Sequence, residues 1–253
     1  MQGDLRGRTA LVTGAGRNIG RGIALALAGA GCNLVLNGSR NRAALEAVAR
    51  EAEALGVQAM PALADVGDAT AVAGMVALAA ARFGAVHIAI SNVGRRAVRP
   101  LLEITPEEWD TTLRTNLSAC FYLARAVLPG MQAAGFGRII HISGRDGFWT
   151  RENRAHNVTA KAGMHSLAKA IALEFGQYGV TANTVVPGLI DTIRDPRTHP
   201  GMAAEAALRI PRIPARRMGT VADIAETCRW LCGPKAGFIT GQLVHVNGGE
   251  FLA

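Results

Sequence analysis

Short apolar runs alternate with longer stretches of helical period along most of the chain. Thr9 to Val12, Asn33 to Asn37, Gln58 to Leu63, Val86 to Ile90, Arg138 to Ile142, Thr181 to Val186 and Leu243 to Val246 read as buried strands. Between them, Ile23 to Ala30, Ala43 to Leu55, Ala69 to Phe83, Ala155 to Phe175 and Val221 to Leu231 read as helices, and Thr105-Pro106 starts a longer one over Glu107 to Pro129. Strand and helix in strict alternation predict an α/β fold, a doubly wound parallel sheet covered on both faces. Right-handed crossovers bring the C-terminal ends of all the strands to one edge, where the loops 13 to 20, 38 to 42, 65 to 66 and 91 to 94 fall. From Ile193 to Arg217 the period is lost and Pro196, Pro200, Pro211 and Pro214 accumulate, which predicts a mobile segment.

Length and composition narrow the class. About half of the 253 residues are apolar, enough for one large core, so residues 1 to 253 are expected to form a single domain. No apolar run reaches the roughly 18 to 20 residues that span a bilayer, and the N-terminus lacks the order of a signal peptide, so a cytoplasmic protein without a membrane partner is expected. The net charge of +8 is dispersed and comes almost wholly from arginine, with few aromatics to stack bases, which argues against nucleic acid. Cys32, Cys120, Cys228 and Cys232 lie in apparent core segments with no histidine at ligand spacing, so buried free thiols are expected and no metal.

The loop after the first strand carries the first chemistry. Gly14, Gly16 and Gly20 let backbone N–H groups and the positive end of the following helix approach a pyrophosphate, although any tight strand-to-helix turn suits glycine. At the end of the second strand an acid would bind a free ribose 2′-hydroxyl. Ser39 and Arg40 stand there instead, with Arg17 in reach, which favours NADP(H) over NAD(H).

Thr13-Gly14-Ala15-Gly16-Arg17-Asn18-Ile19-Gly20, Asp65-Val66, Asn92-Val93-Gly94, Asn116, Lys161-Ala162-Gly163, Pro187-Gly188 and Ile239-Thr240-Gly241-Gln242 occur in the order and spacing of short-chain dehydrogenases/reductases. Over nearly its whole length the chain resembles that family, and most of all the branch typified by 3-oxoacyl-acyl-carrier-protein reductases. The resemblance implies a seven-stranded Rossmann-like sheet, NAD(P)(H) binding, a small-molecule substrate and a homotetramer. It implies that Asp65 and Val66 meet the adenine, that Asn92 and Gly94 line the cofactor cleft, and that Ile190 and Thr192 contact the nicotinamide carboxamide. It also implies that Asn116 opens its helix near the catalytic lysine, and that the segment 193 to 217 covers the substrate.

Three departures stand out. The family's middle glycine is Asn18 here, a residue that tolerates positive φ. Lys161 is present, but four residues before it Asn157 replaces the family tyrosine, and thirteen before that Gly144 replaces the serine. Ser143 is one position early, which in a strand aims its hydroxyl at the opposite face unless a loop brings it back. An amide does not titrate near neutrality and delivers no proton. The site residues carried forward are therefore Asn116, Ser143, Asn157 and Lys161. Three readings remain: an NADP(H)-dependent oxidoreductase with another proton source, Lys161 through a water or His156; a catalytically silent nucleotide-binding homologue; and a non-redox lyase, isomerase or hydrolase. His156 points about 100° away from Asn157 on the helix, and a surface or interface role suits it better than a catalytic one. Arg95, Arg96, Arg145, Arg151 and Arg154 border the family's substrate pocket, so an anionic substrate is an expectation as well, set against plain solvated arginines.

Overall fold

The computed structural model describes residues 4–193 and 202–252. Seven strands, β1 (Thr9–Val12), β2 (Asn33–Gly38), β3 (Ala59–Leu63), β4 (Ile88–Ser91), β5 (Gly137–Ile142), β6 (Val180–Pro187) and β7 (Leu243–Val246), form one sheet in the order β3-β2-β1-β4-β5-β6-β7. Every pairing is parallel, so each crossover needs a covering helix and both faces are buried. On one face α1 (Asn18–Gly29), α2 (Arg42–Glu53) and α8 (Val221–Cys232) bury a core containing Val12, Ile23, Leu34, Ile90, Ile140 and Ile224. On the other, α3 (Ala69–Phe83), α5 (Ala119–Ala133) and α6 (Ala155–Phe175) bury Leu11, Val35, Met75, Leu123, Ile139 and Ile171. Odd and even strand positions thus divide between two cores, the alternation of a two-sided sheet.

Strand order reverses between β1 and β4, and the loops after those two strands are tied together. The Asn92 backbone N–H donates to Thr13 Oγ1 at 2.9 Å, and Asn92 Nδ2 donates to the Thr13 carbonyl at 3.1 Å. A crevice opens there, as expected where crossovers diverge to opposite faces.

Three expectations about helices need correction. The helix expected over Glu107 to Pro129 is α4 (Pro106–Leu113), a π-helical turn over Arg114–Ser118, and then α5, which continues past Pro129 to Ala133. The apolar period runs through the junction, so the extra residue of the π turn leaves no mark on the pattern. Its effect is to turn Asn116 fully inward. Within the segment expected to be aperiodic, α7 (Met202–Arg209) forms, and a 3-10 turn over Ile210–Arg212 follows it. Pro196 and Pro200 lie outside the described residues. The first helix also begins earlier than Ile23, at Asn18 directly after the glycine loop.

All four cysteines are buried free thiols. Burial raises the Cys32 thiol to about 12 and the Cys120 thiol to about 11, and lifts Cys228 and Cys232 further, so all four are unreactive as nucleophiles. Among the described residues no cluster of metal-ligating side chains occurs, and no helix is long and apolar enough to cross a membrane.

Candidate active site

The glycine loop is built as the sequence requires. Gly14 has φ 63°, and Asn18 takes φ 49°, the left-handed conformation expected of an asparagine standing in for glycine. A Cβ on Gly20 would lie 2.1 Å from the Gly14 carbonyl oxygen, so the first turn of α1 sits directly on the loop. The start of α1 has no capping side chain and no acid in its first turn, which leaves its positive end open to an anion. Asn18 also clasps the chain beyond β6: its Nδ2 donates to the Ile193 carbonyl at 2.9 Å, and its Oδ1 accepts from the Ile193 N–H at 3.0 Å.

A cavity of about 780 Å³ opens along the strand C-terminal edge. Gly14, Arg17, Asn18, Ile19 and Gly20 line it from the glycine loop, Ser39 and Arg40 from the end of β2, and Asp65 and Val66 from the loop after β3. Asn92 and Gly94 line its middle, and Pro187, Gly188, Ile190 and Thr192 its far end. Gly16 does not line it, because this glycine packs toward α2, where an added Cβ would meet Ala44 at 3.3 Å. Asn37 was not singled out from the sequence. It is fully buried, lines the cavity, donates to the Ala64 carbonyl at 3.0 Å, and leaves its amide oxygen without a partner among the described residues. A polar residue ending an apolar strand run was the available signal.

At the other end, α6 presents Asn157, Lys161 and His165 on one face, four residues apart. Lys161 Nζ donates to the Ile142 carbonyl at 3.0 Å and would be 3.6 Å from a Cβ on Gly94, which places its ammonium beside the cavity wall. Burial, with Arg96 acting the same way, draws this ammonium from the ordinary lysine value to about 8.

Asn157 is buried and bonded at both ends of its amide. Its Nδ2 donates to Asp146 Oδ2 at 2.7 Å, and its Oδ1 accepts from Asn116 Nδ2 at 3.1 Å. Asn116 in turn accepts from the Arg95 N–H at 2.7 Å and donates to the Arg95 carbonyl at 2.9 Å. A continuous chain therefore runs from the 95 loop through Asn116 and Asn157 to Asp146. Asp146 was missed from the sequence, where an aspartate after a strand reads as an ordinary turn residue. Gly144 has extended backbone and nothing within 4 Å of an added Cβ.

Ser143 continues β5 through its N–H to the Val185 carbonyl at 2.9 Å, and so keeps strand alternation. Its hydroxyl points to α6, where it lies 2.9 Å from His165 Nε2. Burial, then the Lys161 charge, lowers His165 to about 4, so the ring is neutral at physiological pH. His156 lies in the interior, not on the surface. The loop ahead of α4 meets the start of α6 nearby, with the Arg99 N–H donating to the Asn153 carbonyl at 2.8 Å. Burial lowers the basicity of His156, and both its nitrogens lack partners among the described residues.

The five arginines divide. Arg154 pairs with Asp146 at 3.3 Å, and Arg151 reaches Asp146 at 3.7 Å and Glu205 at 3.9 Å. Arg95 is exposed and engages Asn116 through its backbone, whereas Arg96 lines the cavity. Arg145 lies against the Phe251 ring, 5.3 Å from its centroid.

The arrangement has close counterparts. Residues 14–250 match the family model described as enoyl-(acyl carrier protein) reductase. The 3-oxoacyl-acyl-carrier-protein reductase of Staphylococcus aureus is 35% identical over 97% of this chain and 98% of its own length. That of Escherichia coli K12 is 33% identical over 98% and 99%. Among solved structures, a candidate short-chain alcohol dehydrogenase from Sinorhizobium meliloti 1021 superposes with a TM-score of 0.92 at 31% identity, covering 98% of this chain and 97% of the other. A candidate gluconate dehydrogenase from Agrobacterium tumefaciens gives 0.90 at 30% identity, with the same coverage. With a seven-stranded parallel sheet, a glycine loop at its reversal point and relatives matched end to end, the chain belongs to the short-chain dehydrogenase/reductase family of oxidoreductases.

Proposed function

We propose that this protein is an NADP(H)-dependent oxidoreductase acting on a carbonyl or alcohol group, with an acid/base site unlike its family's. The observation that carries this reading is the cavity along the strand edge. It is large enough for a dinucleotide, ends in arginine and serine where an NAD site has an acid, and holds the unsatisfied amide oxygen of Asn37. These features fit a nicotinamide dinucleotide. The open start of α1 and the backbone of the glycine loop would hold the pyrophosphate, Arg17, Ser39 and Arg40 the 2′-phosphate, Asp65 and Val66 the adenine, and Ile190 and Thr192 the carboxamide. When bound, the cofactor supplies or accepts a hydride.

The chain's own residues do the rest. Lys161 holds the ribose beside the cavity wall, and its ammonium, drawn toward neutrality, is the group whose acidity suits proton delivery through a water. Asn157 takes no part in proton transfer and orients Asp146 and Asn116. Because the charged form is the one that binds, NADPH affinity is expected to fall as pH rises through about 8, and Lys161→Met should remove that dependence. Fluorescence titration across the pH range reads both.

The cofactor preference has a direct test. NADPH should bind roughly tenfold or more tightly than NADH, since a 2′-phosphate gains charge-assisted hydrogen bonds, and Arg40→Asp should reverse the order. Equal affinities would remove the assignment. A second reading, a silent nucleotide-binding homologue, is favoured by the continuous, non-titrating Asn116–Asn157 link to Asp146. Tight NADPH binding with no turnover over ketones, aldehydes and keto acids would establish it. We place the protein in the cytoplasm, where its four buried thiols stay reduced. We read it as a homotetramer, a reading supported by exposed Phe121 on α5 and Leu173 on α6.

A further inference from the structure

Beside the cavity, the turn after β5 enters a cluster of guanidinium and carboxylate groups. Among the described residues, Arg145, Arg151, Arg154 and Arg209 meet Asp146, Glu205 and Glu250, four cations against three anions. Every carboxylate is already engaged. Glu250 is held at both oxygens by Arg209, at 2.7 and 2.8 Å. Glu205 accepts from Arg209 at 2.9 Å, with Arg151 at 3.9 Å. Asp146 Oδ2 accepts from Asn157 at 2.7 Å and Arg154 at 3.3 Å, and Oδ1 faces Arg151 at 3.7 Å. Among the described residues Arg145 is the member of the cluster left without an ion pair, and its guanidinium lies over the face of Phe251.

Arg145 directly follows Ser143 and Gly144, both of which line the cofactor-sized cavity. We propose that Arg145 binds the carboxylate of the substrate, so that the site takes hydroxy acids or their oxo counterparts. This rests on the oxidoreductase reading and narrows it to a substrate class. A half-buried guanidinium with surplus charge is stabilised by an incoming anion, and its fork matches a carboxylate at two points. Burial, then the Arg151 and Arg209 charges, lowers the basicity of Arg145 against the opposing pull of Glu250 and Asp146, and an incoming anion would offset those costs. Exposed Trp149 and the Phe251 ring, 5.5 Å apart, supply an apolar wall next to it for the remainder of such a molecule.

The test uses a matched pair of probes, 3-phenyllactate and the uncharged 3-phenyl-1,2-propanediol, titrated by NMR into nucleotide-free and NADP⁺-loaded protein. The acid should bind roughly tenfold or more tightly than the diol, the scale of a charge-assisted pair. Arg145→Gln should erase that preference and leave the diol unchanged, whereas Arg145→Lys keeps part of it. Asp146→Asn, which releases Arg151 and Arg154, should tighten the acid further. Equal binding of acid and diol, absence of both, or an acid affinity untouched in Arg145→Gln overturns the proposal. Failure of NADP⁺ itself to bind, read separately, overturns the oxidoreductase reading and leaves the acid-versus-diol comparison on nucleotide-free protein to decide the role of Arg145.

Discussion

Asn157→Tyr combined with Gly144→Ser is expected to raise NADPH-dependent carbonyl reduction by about 10²-fold or more, the lower end of what a positioned general acid contributes. The backbone positions for both side chains are already in place. Position 157 lies four residues before Lys161 on the same face of α6, so a phenol there is directed toward the ammonium that would lower its pKa. At position 144 an added side chain meets nothing within 4 Å. The obstacle is Asp146, which loses its amide donor at 2.7 Å when Asn157 is replaced but retains Arg154. Initial rates over ketones, aldehydes and keto acids, compared for the native chain, each single variant and the double variant, give the result. A double variant no faster than the native protein would overturn the expectation that the missing phenol and hydroxyl limit the rate.

The second large effect is expected at Gly20. In Gly20→Ala the new Cβ would stand 2.1 Å from the Gly14 carbonyl oxygen and 2.7 Å from Asn92 Nδ2. The first is backbone and cannot swing aside, so α1 must back away from the loop and the bonds joining Thr13 to Asn92 must break or stretch. Overpacking of this kind costs about 1–3 kcal/mol or more. NADPH binding should disappear from a fluorescence titration, and the Tm should fall. Gly74→Ala is the control, because Gly74 sits within α3 with open space around it and should gain about 1 kcal/mol from helix propensity. Loss of nucleotide binding in both variants would point to a general folding effect and not to the loop.

The fold was legible because a parallel sheet buries its strands on both faces, so each strand stands out as a short apolar run between helical periods. All seven strands fall where those runs lie, and the glycine loop falls at the reversal of strand order. The cavity gathers nearly every residue named for the nucleotide, since those residues end successive strands and the topology alone brings them together. The acid/base region was less legible. A π turn changes hydrogen-bond register without disturbing the apolar period, so the inward turn of Asn116 left no trace in the pattern. Ser143 and His165 are 22 residues apart, and their contact depends on how α6 lies over β5. The solitary state of Arg145 depends on carboxylates at 146, 205 and 250, the first engaged by Asn157 and Arg154 and the other two by Arg209. Pairings across that much chain are decided by packing.

The bond between Asn157 and Asp146 makes the two positions epistatic. An aromatic residue introduced at 157 takes one donor from the carboxylate at 146, which keeps Arg154, and an uncharged residue at 146 frees the amide at 157, so each exchange carries a cost that the other relieves. Sequences drifting from this one are therefore expected to alter both sites jointly, a phenol regained at 157 being followed by a change at 146.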